Sequence, residues 1–284
     1  METNRKLAII VFSKNRAMQL NACLRSLYWN IPKKADPNIA IYVLYNVDTN
    51  LHLRSYWEEK SKFVNIHFIP EKDFHKDLLY IMDGFENVMF CTDDTIFKNQ
   101  FSPLEYTEIL NNTPDAIGFS LRLGKNITYC YPHDAEQSIP RFQQVDGSII
   151  KFPWIEGKYD FGYPMDLSSS IYRTADIFRM LENHGWTNSW SNPNYLESFL
   201  DGTSVFYTKS KPMLLCESES VAYCNPVNVV QTTHCNRNGE KFQYSPDDLC
   251  GMFLAGDRID IMPLMECDNI SPHEEVELKF FKGG

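Results

Sequence analysis

Four short apolar runs occupy the first hundred residues, and each of the first three is followed by a stretch with helical spacing. Leu7 to Phe12 is a continuous apolar run, as expected of a parallel strand covered on both faces. After the polar loop Ser13 to Arg16, Ala17, Leu20, Leu24, Leu27 and Tyr28 recur at three- and four-residue intervals, the signature of an amphipathic helix. Ile39 to Tyr45, a helical stretch from Arg54 to Lys62, the alternating run Val64 to Ile69 and the helical face Phe74, Leu78, Leu79 and Met82 repeat the pattern. Val88 to Phe90 then form a fourth strand. Strand and helix in strict alternation predict an α/β fold, a mostly parallel central sheet with right-handed crossovers.

The fourth run ends abruptly on Thr92, Asp93 and Asp94. Taken alone, an Asp-Asp pair reads as a solvated turn in which one carboxylate caps the next few residues of the chain. In a parallel sheet, however, the loops after Phe12, Tyr45 and Phe90 open on one edge, where ligands of such sheets bind. Ser13, Asn15, Arg16, Asp48, Asp93 and Asp94 are therefore expected to converge. Neither glycine-rich phosphate cradle, G-x-G-x-x-G nor G-x-x-x-x-G-K-[ST], occurs in the chain, so a nucleotide here would be held by side chains and a metal.

The net charge of −10 and pI near 5.2 exclude a nucleic-acid binder, because no basic field exists to release counterions. The same charge requires any bound polyphosphate to be neutralised locally. The eight cysteines show no C-x-x-C pair and read as small buried hydrophobes of a reducing compartment. Leu7 to Phe12 is too short for a signal-peptide core, and no run approaches the ~20 residues of a membrane span. The expectation is a cytoplasmic protein.

From Gly124 to Pro164 the chain is rich in Tyr, Pro, Phe and Trp with little periodicity, which suggests a covering segment or a substrate cleft. Tyr129, Tyr131, Trp154, Tyr159 and Tyr163 are its candidate sugar-facing aromatics, although core packing explains most aromatics. Thr174 caps a helix carrying Ile177, Phe178 and Leu181. Asn192 and Pro193 open another that is expected to stop at Gly202, and Ser245 caps a last one. Met213 to Cys216 and Ser220 to Cys224 suggest strands. On pattern alone Glu197 reads as a surface glutamate.

In order and spacing, Ile9 to Arg16, Cys91 to Phe97, Tyr163 to Thr174, Asn192 to Glu197 and Ser245 to Asp260 resemble a GT-A fold glycosyltransferase, in particular a group of bacterial and viral enzymes of that fold. The resemblance spans nearly the whole chain. It implies one domain over residues 1–284, with a nucleotide-sugar half over 1–123 and an aromatic-rich acceptor half over 124–284. It assigns Phe12, Ser13, Asn15, Arg16, Asp48 and Asp93 to the nucleotide, and Asp94 to a Mn²⁺ or Mg²⁺ ion on the diphosphate. His234 completes the metal site by position, with His184 in reserve. Glu197 becomes the catalytic base of an inverting transfer, and Asp166 its competitor. The implied partners are a UDP- or GDP-type sugar donor and a glycan or lipid-linked acceptor, the latter allowing peripheral membrane association.

Two departures stand out. Thr92 replaces the first Asp of the Asp-x-Asp motif, and Ser168 to Ser170 replace an Asp, Gly and His of the related group. The residues also leave two alternatives open: a nucleotidyltransferase, which normally carries a glycine-rich loop that Ser13 to Arg16 lacks, and a glycan-binding module that has lost the chemistry.

Overall fold

The structure, a computed structural model, describes residues 5–32, 36–182, 190–231, 233 and 237–283. Its centre is a nine-stranded sheet. The first four strands are β1 (Arg5–Lys14), β2 (Ile39–Asn46), β3 (Ile66–Pro70) and β4 (Phe85–Thr92). β5 (Ala116–Ser120), β6 (Gln143–Asp146), β7 (Ile149–Pro153), β8 (Ser170–Arg173) and β9 (Met213–Glu217) complete it. Their spatial order is β3-β2-β1-β4-β8-β5-β9-β7-β6. β1 pairs in parallel with both β2 and β4, and β2 with β3, so these four strands end on one edge.

Helices α1 (Ala17–Asn30), α2 (Asn50–Lys62) and α7 (Pro246–Leu254) contribute to the core on one face; α3 (Phe74–Met82), α5 (Thr174–Glu182) and α6 (Pro193–Ser204) contribute to that on the other. α4 (Pro103–Asn111) belongs to the first group. The period of two along β1 divides its side chains between them: Leu7, Ile9 and Val11 join the first core, Ala8, Ile10 and Phe12 the second. All six are essentially inaccessible to water, as the unbroken apolar run requires.

The α/β architecture, a central sheet with helices on both faces, is as expected from the sequence, with local differences. α2 begins one turn earlier than Arg54, because the Thr49 hydroxyl accepts a hydrogen bond from the His52 amide at 3.2 Å. β3 starts at Ile66, leaving Val64 81% exposed, and it tolerates Pro70 because it is an edge strand. α6 passes through Gly202, which is not a stop. Ala222–Cys224 pairs with Thr95–Phe97 outside the main sheet.

The main departure is β8, inserted antiparallel between β4 and β5. Its Tyr172 ring lies over Gly118 of β5, where an added Cβ would sit 2.6 Å from a ring carbon. The Tyr172 hydroxyl reaches the carbonyls of Asp166 at 2.8 Å and Pro164 at 3.0 Å, which fixes the loop entering β8. Residues 143–153, expected to be irregular, form the β6–β7 hairpin around Gly147 at φ +49°. Among the described residues no helix is long and apolar enough to cross a membrane.

Candidate functional site

The ends of β1, β2 and β4, the turn after β4, the start of α6, residues 224–231 and Thr233, Arg237 and Asn238 enclose a cavity of about 530 Å³. Its position is set by topology, since the crevice lies beyond the carboxyl ends of the parallel strands.

Asp93 and Asp94 form one wall. β4 hands over to the turn at Thr92, and the Asp93 amide donates to the Phe12 carbonyl at 3.1 Å, locking the turn to β1. The Asp93 carboxylate is buried and bonded on both oxygens. Its Oδ2 accepts from the Ser13 hydroxyl at 2.8 Å and the Lys14 amide at 3.3 Å, and its Oδ1 from Arg16 Nη1 at 2.9 Å. The same guanidinium nitrogen reaches Asp94 Oδ2 at 3.1 Å, and Arg16 Nη2 donates to the Asn228 carbonyl at 2.9 Å. Burial pushes the Asp93 carboxyl up to about 6 against the pull of Arg16. For Arg16, burial opposes the charge, but Asp93 and Asp94 outweigh it and keep the guanidinium ionised. Tyr56, from α2, supports this wall from behind: its hydroxyl contacts Ser13 Oγ and accepts from the Arg16 amide at 3.2 Å.

Asn15 and Asp48 belong to the scaffold of this loop. Asn15 adopts φ +56°, a conformation Asn tolerates better than most residues, and exchanges hydrogen bonds of 2.7 and 3.0 Å with Asp48. Neither lines the cavity.

Glu197 lies on another wall. Asn192 caps α6 by accepting from the Tyr195 amide at 3.1 Å, and Pro193 occupies the first turn. This places Glu197 one turn in, with one oxygen accepting from the Leu167 amide at 2.9 Å. The other oxygen has no hydrogen-bond partner among the described residues. Burial raises the Glu197 carboxyl to about 7, with the Leu167 amide pulling it down and Asp166 pushing it up.

Asp166 is 1% exposed and does not line the cavity. It accepts from the Ser168 amide at 2.9 Å and the Ser170 hydroxyl at 2.6 Å, and pairs with Arg122 at 3.2 Å. Its local bonds shape the Ser168–Ser170 segment, where Ser169 is held at φ +77°.

Of the residues singled out from sequence, Phe12, Ser13, Arg16, Asp93, Asp94 and Glu197 line this one cavity; Asn15, Asp48 and Asp166 surround it. Tyr131, Tyr159 and Tyr163 also line it, whereas Trp154 is a core residue donating to the Lys211 carbonyl at 2.8 Å. His234 and His184 lie outside the described residues.

Glu71, Arg122, Asp160 and His273 are among the lining residues that were not anticipated. Arg122 had a signal, a charge between Leu121 and Leu123, and it is 3% exposed, pairing with Asp166 and, at 3.8 Å, with Asp160. His273 had none. It is kept neutral, first by burial and then by Arg122, and its Nδ1 is buried without a hydrogen-bond partner.

Among the described residues no group of three His, Cys, Asp or Glu side chains could hold a metal ion. Mg²⁺ and Mn²⁺ paired with phosphates generally need only one or two protein carboxylates, the rest of the shell being phosphate oxygen and water. Asp94 Oδ1, with no hydrogen-bond partner among the described residues, is compatible with that arrangement.

No family model matches the chain. It is similar to the bifunctional glycosyltransferase pgtA of Dictyostelium discoideum, with 31% identity over 247 residues, or 79% of this chain and 32% of that protein. The chain therefore spans about a third of that relative's length. Among solved structures, residues 1–349 of S. aureus TarS align at TM-score 0.49 and 15% identity, covering 77% of this chain and 60% of that one. The Pyrobaculum calidifontis mannosyltransferase PcManGT, in complex with GDP-Man and Mn²⁺, aligns at TM-score 0.40 and 9% identity, covering 76% and 58%.

Proposed function

We propose that the chain is a glycosyltransferase that moves a sugar from a nucleoside diphosphate donor to a hydroxyl of a glycan or lipid-linked acceptor, with inversion. The observation that carries this reading is the pairing, in one cavity, of an arginine-bridged Asp93–Asp94 wall with a second carboxylate, Glu197, raised to about 7. The similarity to a glycosyltransferase of Dictyostelium supports it.

The donor lies along the edge of the sheet, its ribose toward Ser13 and Asp93 and its diphosphate toward Asp94 and Arg16. Arg16 is charged and fixed at both ends, so it offsets part of the carboxylate charge facing the leaving phosphate at no reorganisation cost. Asp94 would hold a divalent cation arriving with the diphosphate, with the neutral His273 nearby as a further candidate donor. When bound, such an ion acts as a Lewis acid on the leaving group.

Glu197 takes the proton from the acceptor hydroxyl. The acceptor oxygen bonds to the anomeric carbon as the bond from that carbon to the phosphate oxygen breaks, and the nucleoside diphosphate leaves with the electron pair. A carboxylate near 7 is matched to this task. Asp166 has its oxygens occupied by Ser168, Ser170 and Arg122, which leaves Glu197 as the base.

A donor panel read by product mass and anomeric configuration tests the reading. Transfer with inversion supports it. Failure of every nucleoside diphosphate to bind, with and without Mn²⁺, contradicts it.

A further inference from the structure

Beyond Ser13 and Asp93, away from Glu197, the cavity runs toward the ends of β2 and β3. Strands lie about 4.8 Å apart, so three steps from β4 to β3 span on the order of 14 Å, enough for a ribose and a base. Leu44, Asn46 and Glu71 line this end. Asn46 is the last residue of β2. Glu71 comes directly after Pro70 at the end of β3, its backbone pinned by donation to the Tyr45 carbonyl at 2.8 Å. Asn46 Nδ2 donates to Glu71 Oε1 at 3.3 Å, which leaves Oε2 without a hydrogen-bond partner among the described residues. Lys14, which also lines the cavity, has its ammonium 3.3 Å from Asp48.

A carboxylate only accepts hydrogen bonds, and it accepts two from adjacent donors best. Guanine offers that pair, a ring N–H beside an exocyclic amino group, next to a carbonyl that the second Asn46 amide hydrogen can meet. Uracil presents a lone N–H between two carbonyls, so one carboxylate oxygen would face a lone pair. Adenine and cytosine place their single amino donor beside a ring acceptor, with the same conflict. In a half-buried site such a mismatch costs more than in water.

We propose that Glu71 reads the base and selects guanine, so that the donor is a guanosine diphosphate sugar. This rests on the donor-site reading above. Asn46 orients the carboxylate, and Leu44 supplies apolar surface.

Calorimetric titration of the full chain with GDP, IDP and UDP, each with Mn²⁺, tests the assignment. IDP keeps the ring N–H and the carbonyl but lacks the exocyclic amino group. GDP is expected to bind about 10- to 100-fold tighter than UDP, and about tenfold tighter than IDP. In Glu71→Gln, GDP should weaken by about 10- to 100-fold while UDP changes by less than about threefold. Equal or tighter binding of UDP, equal binding of IDP and GDP, or an intact GDP preference in Glu71→Gln would overturn the proposal. The wild-type nucleotide series decides the matter even where the variant does not fold. A UDP preference removes only the base assignment, whereas binding of none of the three removes the donor site as well.

Discussion

At the end of β4, Asp93 and Asp94 share one guanidinium, and Asp93 also takes a serine hydroxyl and a backbone amide. Glu197, on α6, has a single amide on one oxygen. Both walls carry acid, but on one a guanidinium offsets part of the charge of two carboxylates, and on the other a carboxylate is left short of partners. A carboxylate tied to a fixed cation keeps its place, and although burial raises Asp93 to about 6 both of its oxygens are already bonded, which suits holding a diphosphate or its metal. A carboxylate raised to about 7 by burial can exchange a proton near neutrality, which suits a base.

Substitutions on the two walls should therefore fail differently. Glu197→Gln is expected to lower turnover by about 10²- to 10⁴-fold while leaving calorimetric nucleotide affinity unchanged. In the unaltered protein, kcat/KM for the proposed transfer should rise with pH through about 7 as Glu197 loses its proton. Normal turnover in the variant would remove Glu197 from the chemistry. Arg16→Ala strands two carboxylates and should cost about 3–5 kcal/mol in denaturant unfolding, along with nucleotide binding. A variant as stable as the parent would show that the bridge does not stabilise this wall.

The contrast sharpens further from the site. Glu59, fully buried between α1 and α2, receives both of its hydrogen bonds, 3.0 Å each, from Asn21, and burial raises it from 4.5 to about 8. Its protonated form is favoured on folding, so its contribution is complete below pH 4.5 and is lost as pH rises toward 8. Glu59→Gln should be more stable than the parent by on the order of a few kcal/mol at alkaline pH, and by little in acid. Equal gains at both ends of the range would assign the effect to packing. Gly118→Ala pushes on the Tyr172 ring and should cost about 1–3 kcal/mol, visible as a lower Tm. Asp48→Asn, at an exposed scaffold position, should change nucleotide affinity by less than about threefold. A larger loss would place Asp48 in the site.

Much of the sheet was legible because its strands are continuous apolar runs separated by helical spacing, two periods that cannot be confused over such lengths. The turn at Asp93 and Asp94 was legible for the same reason, as polar residues ending a buried run. Glu197 was not: in helical pattern it is a surface residue, and only the Leu167 amide from the loop before β8 ties it into the cavity wall, where it is half-buried. β8 escaped notice because four residues carry too little periodicity, and its antiparallel insertion depends on the Tyr172–Gly118 contact across the sheet. Glu71 sits at a strand end on the correct edge, yet it follows Pro70, beyond the apolar run that marks the strand. His273 reaches the cavity through a single bridge to Cys224, a long-range pairing with no local signature.

The most direct test of the account is a crystal structure with a nucleoside diphosphate and Mn²⁺, with the metal located by anomalous scattering. The account predicts manganese on Asp94, phosphate oxygens within hydrogen-bonding reach of Arg16, and the base between Asn46 and Glu71, so that the donor sugar faces Glu197. A diphosphate bound away from Asp93 and Asp94, or a nucleoside reversed so that its base lies against Glu197, would contradict it.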